Sequence, residues 1–167
     1  NQIVDLDVSG SASVTTPALT ADTTYTIVIV INLTTTCTQT LTGSVLIEVI
    51  ELPTATISGT TTVCEGSPDQ SITFTGANGV APYTFTYLDA NGASQTTAPS
   101  VGNSISIPVS AANDGVFTYT LVSVNGACTN TASGNAIVTV LGLPTASVSA
   151  PTICNGSSGT VIFTGTP

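Results

Sequence analysis

The chain contains no lysine, no arginine and no histidine. It also has no tryptophan and no methionine, and charged residues make up 5% of its 167 positions, against roughly 25% in an ordinary soluble protein. The nine charges are all Asp or Glu, for a formal net charge of −9. Each absence excludes a function. Nucleic-acid binding requires cations that displace phosphate counterions, and an anionic membrane surface attracts only basic segments. Without histidine or lysine there is no Ser-His-Asp or Cys-His nucleophile and no Lys-based chemistry. Zinc sites built on His are excluded, and the four cysteines show no CxxC spacing that would suggest a thiolate site. No Lys–Asn isopeptide cross-link can form. No trypsin-type cleavage site exists.

What is present is Thr, Ser, Val, Ile, Gly and Asn. Hydrophobic residues are 41% of the chain and the mean hydropathy is +0.47, too apolar for a disordered polar segment. The longest apolar run, Ile27 to Ile31, has the length of a strand and falls far short of the ~20 residues of a membrane helix. The β-branched composition suits pleated, half-buried strands. There is no 3.6-residue apolar periodicity anywhere, so no helix is expected. The chain opens on Asn1 without a signal-peptide pattern and reads as an internal segment of something longer.

Internal similarity organises the rest. Leu52-Pro53-Thr54-Ala55-Thr56-Ile57-Ser58 returns as Leu143-Pro144-Thr145-Ala146-Ser147-Val148-Ser149, 91 residues on. Cys37-Thr38-Gln39-Thr40 returns at Cys128-Thr129-Asn130-Thr131, again 91 residues on. Thr24-Tyr25-Thr26 matches Thr118-Tyr119-Thr120 at 94, and Val63-Cys64-Glu65-Gly66-Ser67 matches Ile153-Cys154-Asn155-Gly156-Ser157 at 90. A unit of about 91 residues follows. The window then holds the back part of one copy (1–51), one complete copy (52–142) and the front of a third (143–167), with Leu-Pro at each junction. That size is usual for an immunoglobulin-like sandwich. The expected fold is all-β: tandem immunoglobulin-like β-sandwich repeats of about 91 residues, with antiparallel strands.

Within the complete copy the expected strands are Thr54–Ser58, resumed at Thr61–Val63, then Ser71–Thr75, Tyr83–Tyr87, a weak Gln95–Ala98, Ser104–Val109, Phe117–Val124 and Ala136–Leu141. Pro108 points to an edge or a bulge. Asp89-Ala90-Asn91-Gly92, Asn113-Asp114-Gly115 and Asn125-Gly126 are turns. Alternation selects Ile72, Phe74, Phe85, Ile105, Ile107, Tyr119, Leu121, Ile137 and Val138 as the core.

Each copy carries one Cys before its second strand and one after its penultimate strand. In an exported chain that pattern reads as a disulfide. Cys64 and Cys128 would be the pair in the complete copy, and Cys37 and Cys154 would pair outside the window. The two lie 64 residues apart, and closing such a loop contributes roughly 4 kcal/mol. An odd number of intervening strands would put them at opposite ends of the sandwich, beyond the ~5.5 Å Cα separation a bridge requires. Three alternatives stand: a bridge within the copy, a bridge between copies, or free buried thiols.

No cofactor is expected. The carboxylates have no internal cation to pair with, so calcium is the one metal to weigh, with Glu51 and the Glu65/Asp69 turn as candidates. Solvated surface charge is the favoured reading, because Gly142 stands where the first copy has Glu51 and Asn155 where the second has Glu65. Asn32-Leu33-Thr34 and Asn155-Gly156-Ser157 match the N-glycosylation pattern. Asp22-Thr23-Thr24 resembles the short O-glycosylation motif of Bacteroidetes, with Thr23 as acceptor.

Val63-Cys64-Glu65-Gly66-Ser67, Ile72-Thr73-Phe74-Thr75-Gly76, Ala81-Pro82-Tyr83-Thr84-Phe85-Thr86-Tyr87, Phe117-Thr118-Tyr119-Thr120-Leu121 and Asn125-Gly126-Ala127-Cys128, in that order, resemble the repeats of giant surface adhesins of Bacteroidetes, the SprB-type gliding-motility adhesins among them. The unit here is longer than the shortest repeats of that kind. The resemblance implies type IX secretion to the bacterial cell surface, a filament-like string of domains, and a role in attachment or gliding. It carries no catalytic residues. The expected role is therefore a non-catalytic stalk whose partners are neighbouring repeats of the same chain. Lateral self-association through Thr-rich strand edges and binding of surface glycans or proteins are the alternatives. The glycan alternative predicts exposed aromatics gathered in a groove.

Overall fold

The computed structural model of the protein describes residues 2–166. The chain divides into two compact units, Asn1–Ile50 and Glu51–Pro167. Every regular element among the described residues is a strand, and no helix among them is long and apolar enough to cross a membrane.

The first unit has four short strands, β1 (Thr23–Thr26), β2 (Ile29–Ile31), β3 (Thr38–Thr40) and β4 (Ser44–Ile47). β1 pairs with β4 and β2 with β3, both antiparallel. Together they make one long interrupted hairpin, broken where Ile27 bonds Gly43 and Leu41 bonds Val28 across the gap.

The second unit begins with β5 (Thr54–Ser58), β6 (Thr61–Cys64), β7 (Gln70–Ala77), β8 (Thr84–Leu88), β9 (Ser94–Thr96), β10 (Ser104–Val109), β11 (Gly115–Asn125) and β12 (Thr129–Leu141). These form a three-stranded sheet in the order β10-β7-β5 and a five-stranded sheet in the order β6-β12-β11-β8-β9. Every ladder is antiparallel except one: β6 runs parallel to β12, from Val138 opposite Thr61 to Leu141 opposite Cys64. Gly59, at φ +116°, turns the chain between β5 and β6 and so moves the first strand from one sheet to the other. A Cβ there would sit 2.4 Å from the Ser71 carbonyl oxygen, which only glycine tolerates. Pro108 lies on β10, an edge strand, as its missing N–H requires.

The sheets close over Ile72, Phe74, Tyr83, Phe85, Val109, Ala111, Leu121, Val124, Ala136, Val138 and Val140. Phe74 is central, with its ring 5.6 Å from that of Phe85 and 5.0 Å from that of Tyr87. Each fully buried large side chain contributes roughly 1.5–3 kcal/mol. Ile105, Ile107 and Tyr119 pack against this core only in part. Ile137 does not join it: β12 turns Ala136, Val138 and Val140 inward, so the residue between them faces out. The interior polar groups are satisfied. Ser100 Oγ accepts from Tyr83 N and donates to the Gly102 carbonyl, and Thr97 Oγ1 accepts from Phe85 N. No buried side-chain polar atom among the described residues lacks a partner.

Two further strands, β13 (Thr145–Ser149) and β14 (Ile162–Thr166), pair antiparallel. Their ladder sets Thr145 opposite Thr166, Ser147 opposite Thr164 and Ser149 opposite Ile162. Moved back by 91 residues on β13 and 89 on β14, these become Thr54–Ala77, Thr56–Thr75 and Ser58–Thr73, the β5–β7 register. The first unit behaves likewise. Thr23–Ile47 and Tyr25–Val45 map onto Phe117–Val138 and Tyr119–Ala136 of β11–β12, moved by 94 and 91 residues. Val30–Gln39 maps onto Val124–Asn130 with the same shifts. The hairpins at matched positions therefore share their register as well as their residues.

Candidate functional site

The β-sandwich has two ends, and its chemically distinctive residues divide between them. At the N-terminal end Pro53 is buried, and its carbonyl accepts a 2.9 Å hydrogen bond from Asn130 Nδ2. Asn130 lies at the start of β12, two residues after Cys128. The Cys128 carbonyl in turn holds Gly126 N at 2.9 Å, closing the β11–β12 turn. Tyr83 caps this end of the core. Its hydroxyl donates to the Asn78 carbonyl, and its ring lies between Gly76 and Gly126.

At the C-terminal end Cys64 finishes β6 beside Leu141. Glu65 N then bonds the Leu141 carbonyl at 2.8 Å, Gly66 N the Ala111 carbonyl at 2.9 Å, and Ser67 N the Cys64 carbonyl at 3.1 Å. The same turn recurs at Ser157 N and the Cys154 carbonyl, also 3.1 Å.

This arrangement corrects the disulfide expected between Cys64 and Cys128. Both are free thiols. Five strands, β7 to β11, intervene between them. Cys64 is level with the last residue of β12 and Cys128 precedes its first, so the length of a 13-residue strand separates them. At about 3.3 Å per residue that is about 40 Å, far beyond bridging distance. Cys37 and Cys154 are free and exposed as well. Cys64 is also exposed and Cys128 half-buried, so neither packs as a core residue.

The carboxylates do not converge. Glu51 is at the N-terminal end, where its carbonyl oxygen lies against Gly79, whereas Glu65 and Asp69 sit at the other end, flanking the turn into β7. Among the described residues no three His, Cys, Asp or Glu side chains gather as a metal would need. Of the proposed glycan acceptors, Thr23 opens β1 with its hydroxyl donating to the Ala21 carbonyl, and Asn155 is an exposed turn residue. Asn32 is exposed too, but its Oδ1 is occupied by the amides of Thr34 and Thr35.

One hollow of about 240 Å³ is walled by Asn91, Val109, Ser110, Asn113, Phe117 and Tyr119, and a wider, more open one of about 440 Å³ in the first unit by Leu6, Val30, Ile31, Asn32, Cys37, Thr38 and Gln39. Ligand sites usually reach 300–1,000 Å³, so the first falls short of that range and the second lies within it. Tyr119 continues into Tyr87, 6.3 Å away between ring centroids. Burial pushes both phenols above the ordinary tyrosine range. The Asp89 carboxylate adds to this at Tyr87, and Tyr87 and then Asp89 add to it at Tyr119. Asp89 itself is held below the usual carboxylate range by hydrogen bonds from the Gln95 side chain and from the amides of Ala93 and Asn91. Asn91, Asn113 and Ser110 were legible in the sequence only as turn or strand-end residues. Nothing in their spacing marks them as sharing a hollow with Phe117. The other aromatics of this copy, Phe74, Tyr83 and Phe85, are core.

No protein-family model matches the chain, and no curated protein matches it.

Proposed function

We propose that the chain is a run of tandem immunoglobulin-like β-sandwich copies forming a non-catalytic stalk of a secreted cell-surface filament, with a structural and adhesive role. The observation that carries this reading is the recurrence of hairpin register at matched positions, β11–β12 in β1–β4 and β2–β3, and β5–β7 in β13–β14. Two sheets in the orders β10-β7-β5 and β6-β12-β11-β8-β9, with the first strand shared between them, support the immunoglobulin-like assignment. The chain enters the complete copy at one end and leaves it at the other. In a stalk, copies joined by segments like Gly142-Leu143-Pro144 would each add length. The absence of every cationic side chain supports a passive surface without trypsin-type cleavage sites.

The test is dimensional. Small-angle scattering on the chain and on versions carrying additional copies of 52–142 should show the maximum dimension rising by about 40 Å per copy, the length of β12 at strand rise. A dimension that grows only as the cube root of mass would sink the stalk reading. Binding of surface glycans at the Phe117–Tyr119 hollow is the second reading. Titration calorimetry against oligosaccharides, with Tyr119→Ala as control, separates the two.

A further inference from the structure

The sandwich sets its two cysteines at opposite ends, and each end is a junction. Cys64 is level with Leu141, the last residue of β12, and three residues, Gly142-Leu143-Pro144, separate Leu141 from the next strand. The preceding junction has the same Leu-Pro, and there the Pro53 carbonyl is held by Asn130, two residues past Cys128. Leu143-Pro144 repeats Leu52-Pro53 at an offset of 91. In a complete copy beginning at Leu143, the counterpart of Cys128 would therefore fall beside Pro144. One thiol of each copy thus flanks the junction from either side.

We infer that consecutive copies are joined by a disulfide across each junction, from the Cys64-type cysteine of one copy to the Cys128-type cysteine of the next. This rests on the tandem reading above. The pairing rule accounts for all four free thiols. Cys64 and Cys154 are of the first type, Cys37 and Cys128 of the second. The partner of Cys64 falls 91 residues beyond Cys128, and that of Cys128 falls 91 residues before Cys64. No pair the rule allows lies wholly within positions 1–167. Exposure argues the same way. An unpaired cysteine is usually among the most buried residues of a domain, yet in the complete copy Cys64 is exposed and Cys128 half-buried.

The bridge forms by thiol–disulfide exchange. One thiolate attacks the disulfide of an oxidising dithiol protein or of oxidised glutathione. The second thiolate then attacks the stalk sulfur of the resulting mixed disulfide and displaces the oxidant's remaining thiolate. One S–S bond is made in the stalk and one is broken in the oxidant. The oxidant departs as two thiols, carrying the two protons and two electrons the cysteines gave up.

The experiment lengthens the whole chain by one copy, residues 1–142 followed by 52–167, which recreates the natural Gly-Leu-Pro junction. The protein is equilibrated in a glutathione exchange buffer, alkylated and digested without reduction for mass spectrometry. The expected result is one disulfide and four free thiols out of six, the linked peptides carrying Cys64 of the first complete copy and Cys128 of the second. Cys64→Ser in the first copy should abolish the bridge, and Cys64→Ser in the second should leave it intact. The unlengthened chain should keep four free thiols. A bridge within one copy, a bridge that survives Cys64→Ser in the first copy, or a folded lengthened chain with six free thiols would overturn the inference. Scattering on the same sample keeps the two readings apart: an elongated molecule without the bridge loses the disulfide alone, and a compact one loses the stalk.

Discussion

Tyr83 closes the N-terminal end of the core, and Gly76 is the residue that lets it do so. A Cβ at position 76 would lie 2.6, 2.7 and 2.9 Å from three ring atoms of Tyr83. Ordinary contact begins near 3.4 Å, so the ring must retreat by about 0.8 Å. It has nowhere to go. Gly126 lies along the other edge of the same ring, where its own Cβ would come within 3.2 Å, and the hydroxyl is tied to the Asn78 carbonyl. Gly76→Ala therefore costs about 1–3 kcal/mol of overpacking and about 1 kcal/mol for the loosened hydrogen bond. Gly76 is not among the residues with positive φ, so alanine also restricts the unfolded chain and returns about 0.4–1 kcal/mol. The net expectation is a loss of about 2 kcal/mol. The sign should change when the ring is removed. In a Tyr83→Ala background, itself roughly 3–5 kcal/mol less stable, Gly76→Ala should be neutral or slightly stabilising. The assay is a double-mutant cycle by urea unfolding, followed by far-ultraviolet circular dichroism because the chain has no tryptophan. A cost of Gly76→Ala equal in the two backgrounds to within about 0.5 kcal/mol would refute the reasoning.

Three further outcomes are expected. Gly59→Ala should lower the thermal midpoint well beyond Gly102→Ala: both glycines have positive φ, but only at Gly59 does the Cβ meet backbone, 2.4 Å from Ser71 O, while nothing lies within 4 Å of it at Gly102. The depressed pKa of Asp89 means that its carboxylate supports the β8–β9 turn above the unfolded-state value, and that this support is lost as pH falls through the lower folded value. Amide exchange at Asn91 and Ala93 should accelerate over that acid range, and Asp89→Asn should remove the dependence. Tyr87 and Tyr119 have raised pKa values, so their contribution is complete below the unfolded-state value and lost as pH climbs through the higher folded one. Ultraviolet titration should show Tyr87 and Tyr119 ionising above the ordinary tyrosine range, and Asp89→Asn should bring both closer to it.

Period-two alternation made β7, β8, β10 and most of β11 legible in the sequence, because each has one buried face. Ile72, Phe74, Phe85, Leu121 and Val138 occupy the core as that alternation indicates. β12 was read at half its length. Its first half, Thr129–Asn135, is polar and carries no period, and it is a strand only because β11 pairs with it. Ile137 and Val138 were both placed inside, which adjacent residues of one strand cannot satisfy. Tyr83 shares the face of Phe85 by the same alternation and was nonetheless left out of the core, whereas Val124 escaped for a local reason: the register shift in β11 between Leu121 and Ser123 displaces it from the simple alternation. The parallel β6–β12 ladder was invisible, since it depends on Gly59 sending the first strand across to the other sheet. The cysteine positions turned on the same count of strands. Five between Cys64 and Cys128, rather than four, separate the two thiols by the whole length of the sandwich.

In the proposed stalk, the β6–β12 ladder would also decide how each copy bears load. Tension applied where the chain enters near Pro53 and leaves at Gly142 draws β6 and β12 in opposite directions along their common axis. Because the two run parallel, their hydrogen bonds lie across the line of force and are strained together. An antiparallel hairpin pulled from its open end would instead yield one rung at a time. The last strand is thus clamped at its loaded end by Thr61–Cys64, a segment too short to be a fold-determining strand but well placed as a mechanical latch.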